Sequence, residues 1–253
     1  MADPILIAIM TMIQTHLAQA RQRLCTACQA AGRPVDAVTL LAVSKTFSAD
    51  DIKAAYAAGQ TAFGENYIQE AVQKITQLRH LPLQWHCIGP IQSNKTRLVA
   101  EYFDWVQSID RIKIAERLSQ QRPQHLASLQ VCIQVNIDGG STKSGVHPST
   151  LFALAQAVSQ LPHLCLRGIM CIPEQTPDLI ASNAVLARAR GLFDALNAQG
   201  FSLDTLSMGM SADLEVAVAA GSTMVRVGSA IFGQRKSDEP NAELIADPIF
   251  GTL

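Results

Sequence analysis

The chain has 253 residues, 48% of them apolar, which is enough for a large core in one big domain or two small ones. Lysine and arginine total 20 against 21 acidic residues, a formal net charge of −1. That balance, without a basic run, argues against nucleic acid or an anionic membrane as partner.

The first apolar run, ILIAIMTMI (5–13), is too short for a membrane span, which takes about 20 residues. Residues 1–4 hold Asp3 and no Lys or Arg, the wrong charge for a signal-peptide n-region. The run is expected to form the buried face of an extra helix within residues 1–31. Next comes CTAC (Cys25–Cys28), but no second CxxC or His pair completes a zinc set. The six cysteines read as reduced structural thiols, and the protein as cytoplasmic.

Eight short β-type runs then follow: TLLAV (39–43), TAF (61–63), QWHCI (84–88), DWVQS (104–108), LQVCIQVN (129–136), LCLRGIM (164–170), TLSM (205–208) and TMVRV (223–227). Between them lie stretches such as NYIQEAVQKITQL and RIKIAERLSQQ, whose apolar residues recur at three and four. Asp50, Ser149 and Ser182 are expected N-caps, and Gly59 and Gly200 expected C-caps. Strand alternating with helix predicts a parallel sheet covered by helices. Eight repeats predict an α/β fold closed as a (β/α)8 TIM barrel, in a single domain over residues 1–253. An open doubly wound sheet is the alternative, but no GxGxxG follows the first strand.

In such a barrel the functional residues stand just after the strands. Lys45 follows the first. SMGMSADLEVAVAAG and RVGSAIFG follow the seventh and eighth, and both are rich in Gly and Ser, as phosphate-binding loops are. A lysine amine attacks an aldehyde once it is neutral, and partial burial favours that form. A lysine and a phosphate loop on one rim point to a phosphorylated aldehyde. Pyridoxal 5′-phosphate and an aldolase-type sugar phosphate both satisfy this. Arg226 ends the eighth run beside the loop and is expected to face the same ligand.

LLAVSKTFSADDI, FGENYIQEA, WHCIGPIQSNK, VQSID, VNIDGGSTKSGV, LRGIMCIP and LSMGMSADLEVAVAAGSTMVRVGSAIFG, in that order, resemble the pyridoxal-phosphate homeostasis family over residues 39–233. That family is similar in fold to the N-terminal barrel of alanine racemase. The resemblance implies pyridoxal 5′-phosphate held as a Schiff base on Lys45 and a phosphate cradle of Ser207, Gly228 and Ser229. It implies Arg226 at the pyridine nitrogen, with Asn66 and Met208 lining the pocket. His86, Asn94, Lys95 and Lys143 lie on family motifs. His86 reads as structural and Lys143 as a loop lysine that alternatively meets phosphate or a carboxylate.

The resemblance implies a cofactor carrier for intracellular vitamin B6 homeostasis, a monomer that supplies apo-enzymes. An amino-acid racemase is the alternative. Racemisation needs an acid/base on each face of the substrate carbon. In alanine racemase the second is a tyrosine from a partner's C-terminal domain, for which this chain leaves no room. Its tyrosines are Tyr56, Tyr67 and Tyr102, none beyond the barrel, and Tyr67 is expected to pack within its helix.

Overall fold

A computed structural model describes residues 4–140, 143–174, 176 and 178–233. Eight parallel strands, β1 to β8, pair in chain order, and β1 pairs with β8 to close the barrel. They are Thr39–Val43, Ala62–Glu65, Gln84–Cys87, Trp105–Ile109, Leu129–Val135, Leu164–Cys171, Thr205–Ser207 and Met224–Val227. Each predicted run overlaps one strand, with β2, β4 and β6 extending one or two residues past it, because strands buried on both faces show as short continuous apolar runs.

Helix α1, Pro4–Ala30, precedes the barrel. Helices α2 to α9 follow the successive strands: Ala49–Ala57, Ile68–Leu78, Thr96–Tyr102, Ile112–Gln121, Pro148–Ser159, Leu179–Ala198, Leu214–Ala219 and Ser229–Phe232. The main core lies between the strands and this outer ring. The segment expected to be the buried face of α1 is buried only in part. Ile13 is inside and Ile9 and Met10 are half-buried, but Met12 is exposed, and the side chains of residues 5–7 lie outside the described set. The buried stripe runs on through Leu17, Ala20, Leu24, Ala27 and Cys28, and α1 packs on α2, α8 and α9. Three of its polar side chains, and Arg33 just beyond its end, fasten it. His16 Nδ1 lies 3.2 Å from the Ile231 carbonyl, and Arg21 donates to the Ala58 carbonyl. Arg23 pairs with Glu215 and donates to the Ser211 carbonyl, and Arg33 donates to the Val218 carbonyl.

The expected N-caps are displaced, each by a better local cap. Helix α2 starts at Ala49 because Ser48 and Asp51 form a reciprocal capping box, with the Ser48 N–H donating to Asp51 Oδ2 at 2.8 Å. Helix α6 places Pro148 in its first turn, where a missing N–H costs nothing, and is capped by His147. Asp178 caps α7, its Oδ1 accepting from Ile180 N–H at 2.8 Å. Gly59 and Gly200 each stand one residue past a C-cap, with positive φ of 84° and 91°.

Between β5 and β6 the register slips after Val131↔Leu166 to Cys132↔Gly168, which leaves Arg167 as an extra residue. Gly168 then passes so close to β7 that a Cβ there would sit 1.6 Å from the Thr205 carbonyl oxygen. Backbone, unlike a side-chain tip, cannot move aside without breaking the ladder. Gly168→Ala is therefore expected to destabilise the protein by more than about 3 kcal/mol in urea denaturation. A loss below about 1 kcal/mol would show that the strands can separate there.

Candidate functional site

At the C-terminal ends of the strands a cavity of about 480 Å³ opens, within the range of small-molecule sites. Lys45, Asn66, Arg226, Gly228 and Ser229 line it, and so bring together five residues expected from the sequence. Val43, Phe47, Ile88, Ile172 and Met210 supply apolar walls.

Lys45 is half-buried in a turn in which the Phe47 N–H donates to the Ser44 carbonyl at 3.1 Å. Thr46, the next residue, has φ of +70°, unfavourable for a β-branched side chain. The turn is gripped from both sides. Thr46 N–H donates to Glu70 Oε1 at 2.8 Å. Lys74 Nζ donates to the Ser44 carbonyl at 2.9 Å, to Glu65 Oε1 at 2.9 Å and to Glu70 Oε1 at 2.5 Å. Ser44 Oγ also donates to Glu65 Oε1, at 2.6 Å. Glu65 is buried at the end of β2, and its Oε2 has no hydrogen-bond partner among the described residues. Burial pushes its carboxyl above the ordinary range, and the ammonium of Lys74 and the Ser44 hydroxyl oppose that rise.

Arg226 faces the cavity from the end of β8 and is 4% exposed. Its guanidinium donates to Ser207 Oγ at 2.8 Å and to the Cys171 carbonyl at 2.8 Å. Among the described residues no carboxylate lies within 4.0 Å of it. Burial lowers its pKa, yet an arginine keeps its charge. Asn66 brings a second polar atom to the cavity, a buried Oδ1 without a partner among the described residues.

Ser207 and Met208 do not line the cavity. The Ser207 hydroxyl is fully buried and spent on Arg226 and Gln107, leaving no hydrogen for a phosphate. Met208 packs in the core behind the strands. Their place is taken by Met210, Ser211 and Ala212. The chain reaches them through Gly209, whose φ is +93° and whose added Cβ would meet Ala217 Cβ at 2.4 Å. That glycine between two Met-containing halves of SMGMS was the available signal. His86 is fully buried inside the barrel, as a structural histidine is. Asn94 and Lys95 belong to a short 3-10 turn away from the lining. Lys143 pairs with Asp138 at 2.6 Å, and Asp138 also accepts the Glu174 N–H, tying the loops after β5 and β6 together. Tyr67, expected to pack within its helix, is instead the exposed N-cap of α3, because the buried face of that helix begins at Ile68.

The closed barrel places the chain in the class of the alanine racemase N-terminal domain, whose family model matches residues 11–236. The solved alanine racemase of Corynebacterium glutamicum shares the fold alone, with a TM-score of 0.67 at 18% identity over 89% of this chain and 62% of that one. Closer relatives lie within this class. The pyridoxal phosphate homeostasis protein of Pseudomonas aeruginosa is 54% identical over 231 residues, covering 91% of this chain and 99% of that one. PipY of Synechococcus elongatus, solved with PLP bound, superposes with a TM-score of 0.76 at 39% identity, covering 87% of this chain and all of PipY. The chain belongs to the pyridoxal phosphate homeostasis protein family.

Proposed function

We propose that this protein holds pyridoxal 5′-phosphate on Lys45 and acts in vitamin B6 homeostasis by storing the cofactor or delivering it. The observation that carries this reading is one cavity shared by a half-buried lysine and a buried guanidinium with no described carboxylate within 4.0 Å. The residues fit the group. Arg226 would donate to an unprotonated ring nitrogen, and the apolar walls would hold a flat ring. The Ser211 and Ser229 hydroxyls would donate to phosphate oxygens beside Gly228, and the unpartnered Asn66 Oδ1 would accept a ligand hydrogen. When bound, the group supplies an aldehyde carbon that a lysine amine can attack, and an electron-withdrawing ring.

The cavity favours a carrier over a racemase. Among its described lining residues the titratable side chains are Lys45 and Arg226, and guanidinium does not exchange protons near neutrality. A second acid/base is thus missing from the described lining. We place the protein in the cytoplasm as a monomer that serves apo-enzymes. All six cysteines are free thiols, as in a reducing compartment, and no described helix is long and apolar enough to cross a membrane.

Titration with pyridoxal phosphate should produce a visible absorption band, and pyridoxal, which lacks the phosphate, should bind at least about tenfold more weakly. Purified loaded protein should show no sustained racemisation of amino acids. Equal affinity for the two vitamers would remove the phosphate cradle, and Lys45-dependent turnover would make the protein an enzyme.

A further inference from the structure

The interior of the barrel carries a file of hydrogen bonds that leads away from Arg226. The guanidinium donates to Ser207 Oγ at 2.8 Å, and Ser207 donates its one hydrogen to Gln107 Oε1 at 2.6 Å. This leaves the Gln107 amide nitrogen facing His86 Nδ1 at 3.0 Å, with Met224 Sδ also 3.0 Å from it. An amide NH2 only donates, so His86 Nδ1 must be bare and the ring hydrogen must sit on Nε2. His86 Nε2 lies 3.0 Å from Gln84 Oε1, its acceptor at the opposite, N-terminal end of the barrel. Every donor therefore points the same way, from the cavity toward Gln84. His86, Gln107 and Ser207 are fully buried. The His86 ring stacks on Trp105 at 5.0 Å and 12°, and burial lowers its pKa to about 3, which keeps it neutral.

We propose that His86 and Gln107 are positioning residues for Arg226. The bare Nδ1 holds the Gln107 amide in one orientation. That orientation makes Ser207 donate to Gln107 and leaves its lone pairs for Arg226. With the opposite tautomer, His86 would donate to Gln107 and the amide would turn its NH2 toward Ser207. Ser207 would then accept from both Gln107 and Arg226, and its own hydrogen would lose the acceptor it has in Gln107 Oε1. The effect on ligand binding rests on the reading that Arg226 contacts bound pyridoxal phosphate.

The tautomer can be read directly, by nitrogen-15 NMR of His86 in the full chain. A bare Nδ1 and a protonated Nε2 are expected, persisting down to about pH 5. Gln107→Glu, isosteric and unable to donate once ionised, should place the ring hydrogen on Nδ1 above the pH at which its carboxyl ionises. An Nδ1–H ring in the native protein, or a tautomer unmoved by Q107E, would overturn the relay whatever the ligand is. Two variants of His86 then separate hydrogen bonding from packing. His86→Phe keeps the stack on Trp105 and removes the acceptor. His86→Asn loses the ring but places an acceptor oxygen near the position of Nδ1. H86F and Gln107→Leu are expected to weaken pyridoxal phosphate at least about tenfold, with H86N recovering most of the loss. H86N as impaired as H86F, or H86F binding normally, would leave His86 a packing residue. If H86F does not fold, Q107L takes its place in that comparison. A native protein that never attaches the cofactor to Lys45 would instead sink the functional reading, while the NMR result still decides the relay.

Discussion

Lys45→Ala should abolish covalent attachment of the cofactor while leaving a weak residual site. After borohydride treatment the native protein should carry the cofactor on the peptide containing Lys45, and the variant should carry none. Affinity should fall at least about 100-fold, roughly 2.7 kcal/mol. Binding should not vanish, because Arg226, Asn66, Gly228 and Ser229 stay in place around the cavity. Nor should another lysine substitute. Lys74, two turns along α3, lies beneath the Lys45 turn, but its ammonium is held by two carboxylates and a carbonyl. Lys143 is engaged with Asp138. The check is peptide mapping by mass spectrometry. Equal labelling of the K45A protein at a different lysine would refute the assignment.

Lys74→Met should cost about 3–5 kcal/mol at about pH 8, because it leaves the Glu65 carboxylate buried with only the Ser44 hydroxyl beside it. The loss should depend on pH with a definite sign. The folded-state pKa of Glu65 is raised above its ordinary 4.5 by burial. The folded protein thus holds that proton more tightly than the unfolded chain, and stability is lost as pH rises through the folded pKa. Without Lys74 the pKa rises further. The gap between native and K74M should therefore widen from about pH 5 to about pH 8 in urea denaturation. Adding Glu65→Gln removes the charge, and the double variant should regain at least half the stability with little pH dependence. A loss under about 1 kcal/mol, or one independent of pH, would mean that water reaches Glu65. Because Lys74 bonds the Ser44 carbonyl and Glu70 bonds the Thr46 N–H, K74M should also loosen the turn that presents Lys45.

The barrel was legible because a strand buried on both faces writes itself as an apolar run, and eight such runs alternate with helical patterns. Helix starts were less so. Ser48, His147 and Asp178 won as caps through side-chain geometry, which neighbouring Ser and Asp residues disguise. In the site, Lys45, Asn66, Arg226, Gly228 and Ser229 were readable since each lies at or just past a strand end. Ser207 has the same position and the right chemistry for a phosphate, yet Gln107, 100 residues earlier in the chain, claims its hydroxyl. No local pattern reveals such a pairing. Ser211 was hidden for a different reason, as the left-handed turn at Gly209 redirects the chain after the period-two pattern of β7 has ended. The Glu65–Lys74 pair carries no sequence signature because it joins a strand to the following helix, outside the i,i+4 rule that links Lys74 to Glu70.

Helix α1 has a further consequence, for the order in which the chain is made. Its apolar stripe is synthesised before the barrel, whereas α8 and α9, two of the helices that cover it, follow the seventh and eighth strands. The same holds for β1, whose partner β8 comes about 185 residues later. On the ribosome α2 can cover part of that stripe early, but the part that meets α8 and α9 stays open until residues 214–232 emerge. Closing the seam of α1 and β1 with α8, α9 and β8 therefore comes late in synthesis, and exposed apolar surface before closure is the kind that aggregates.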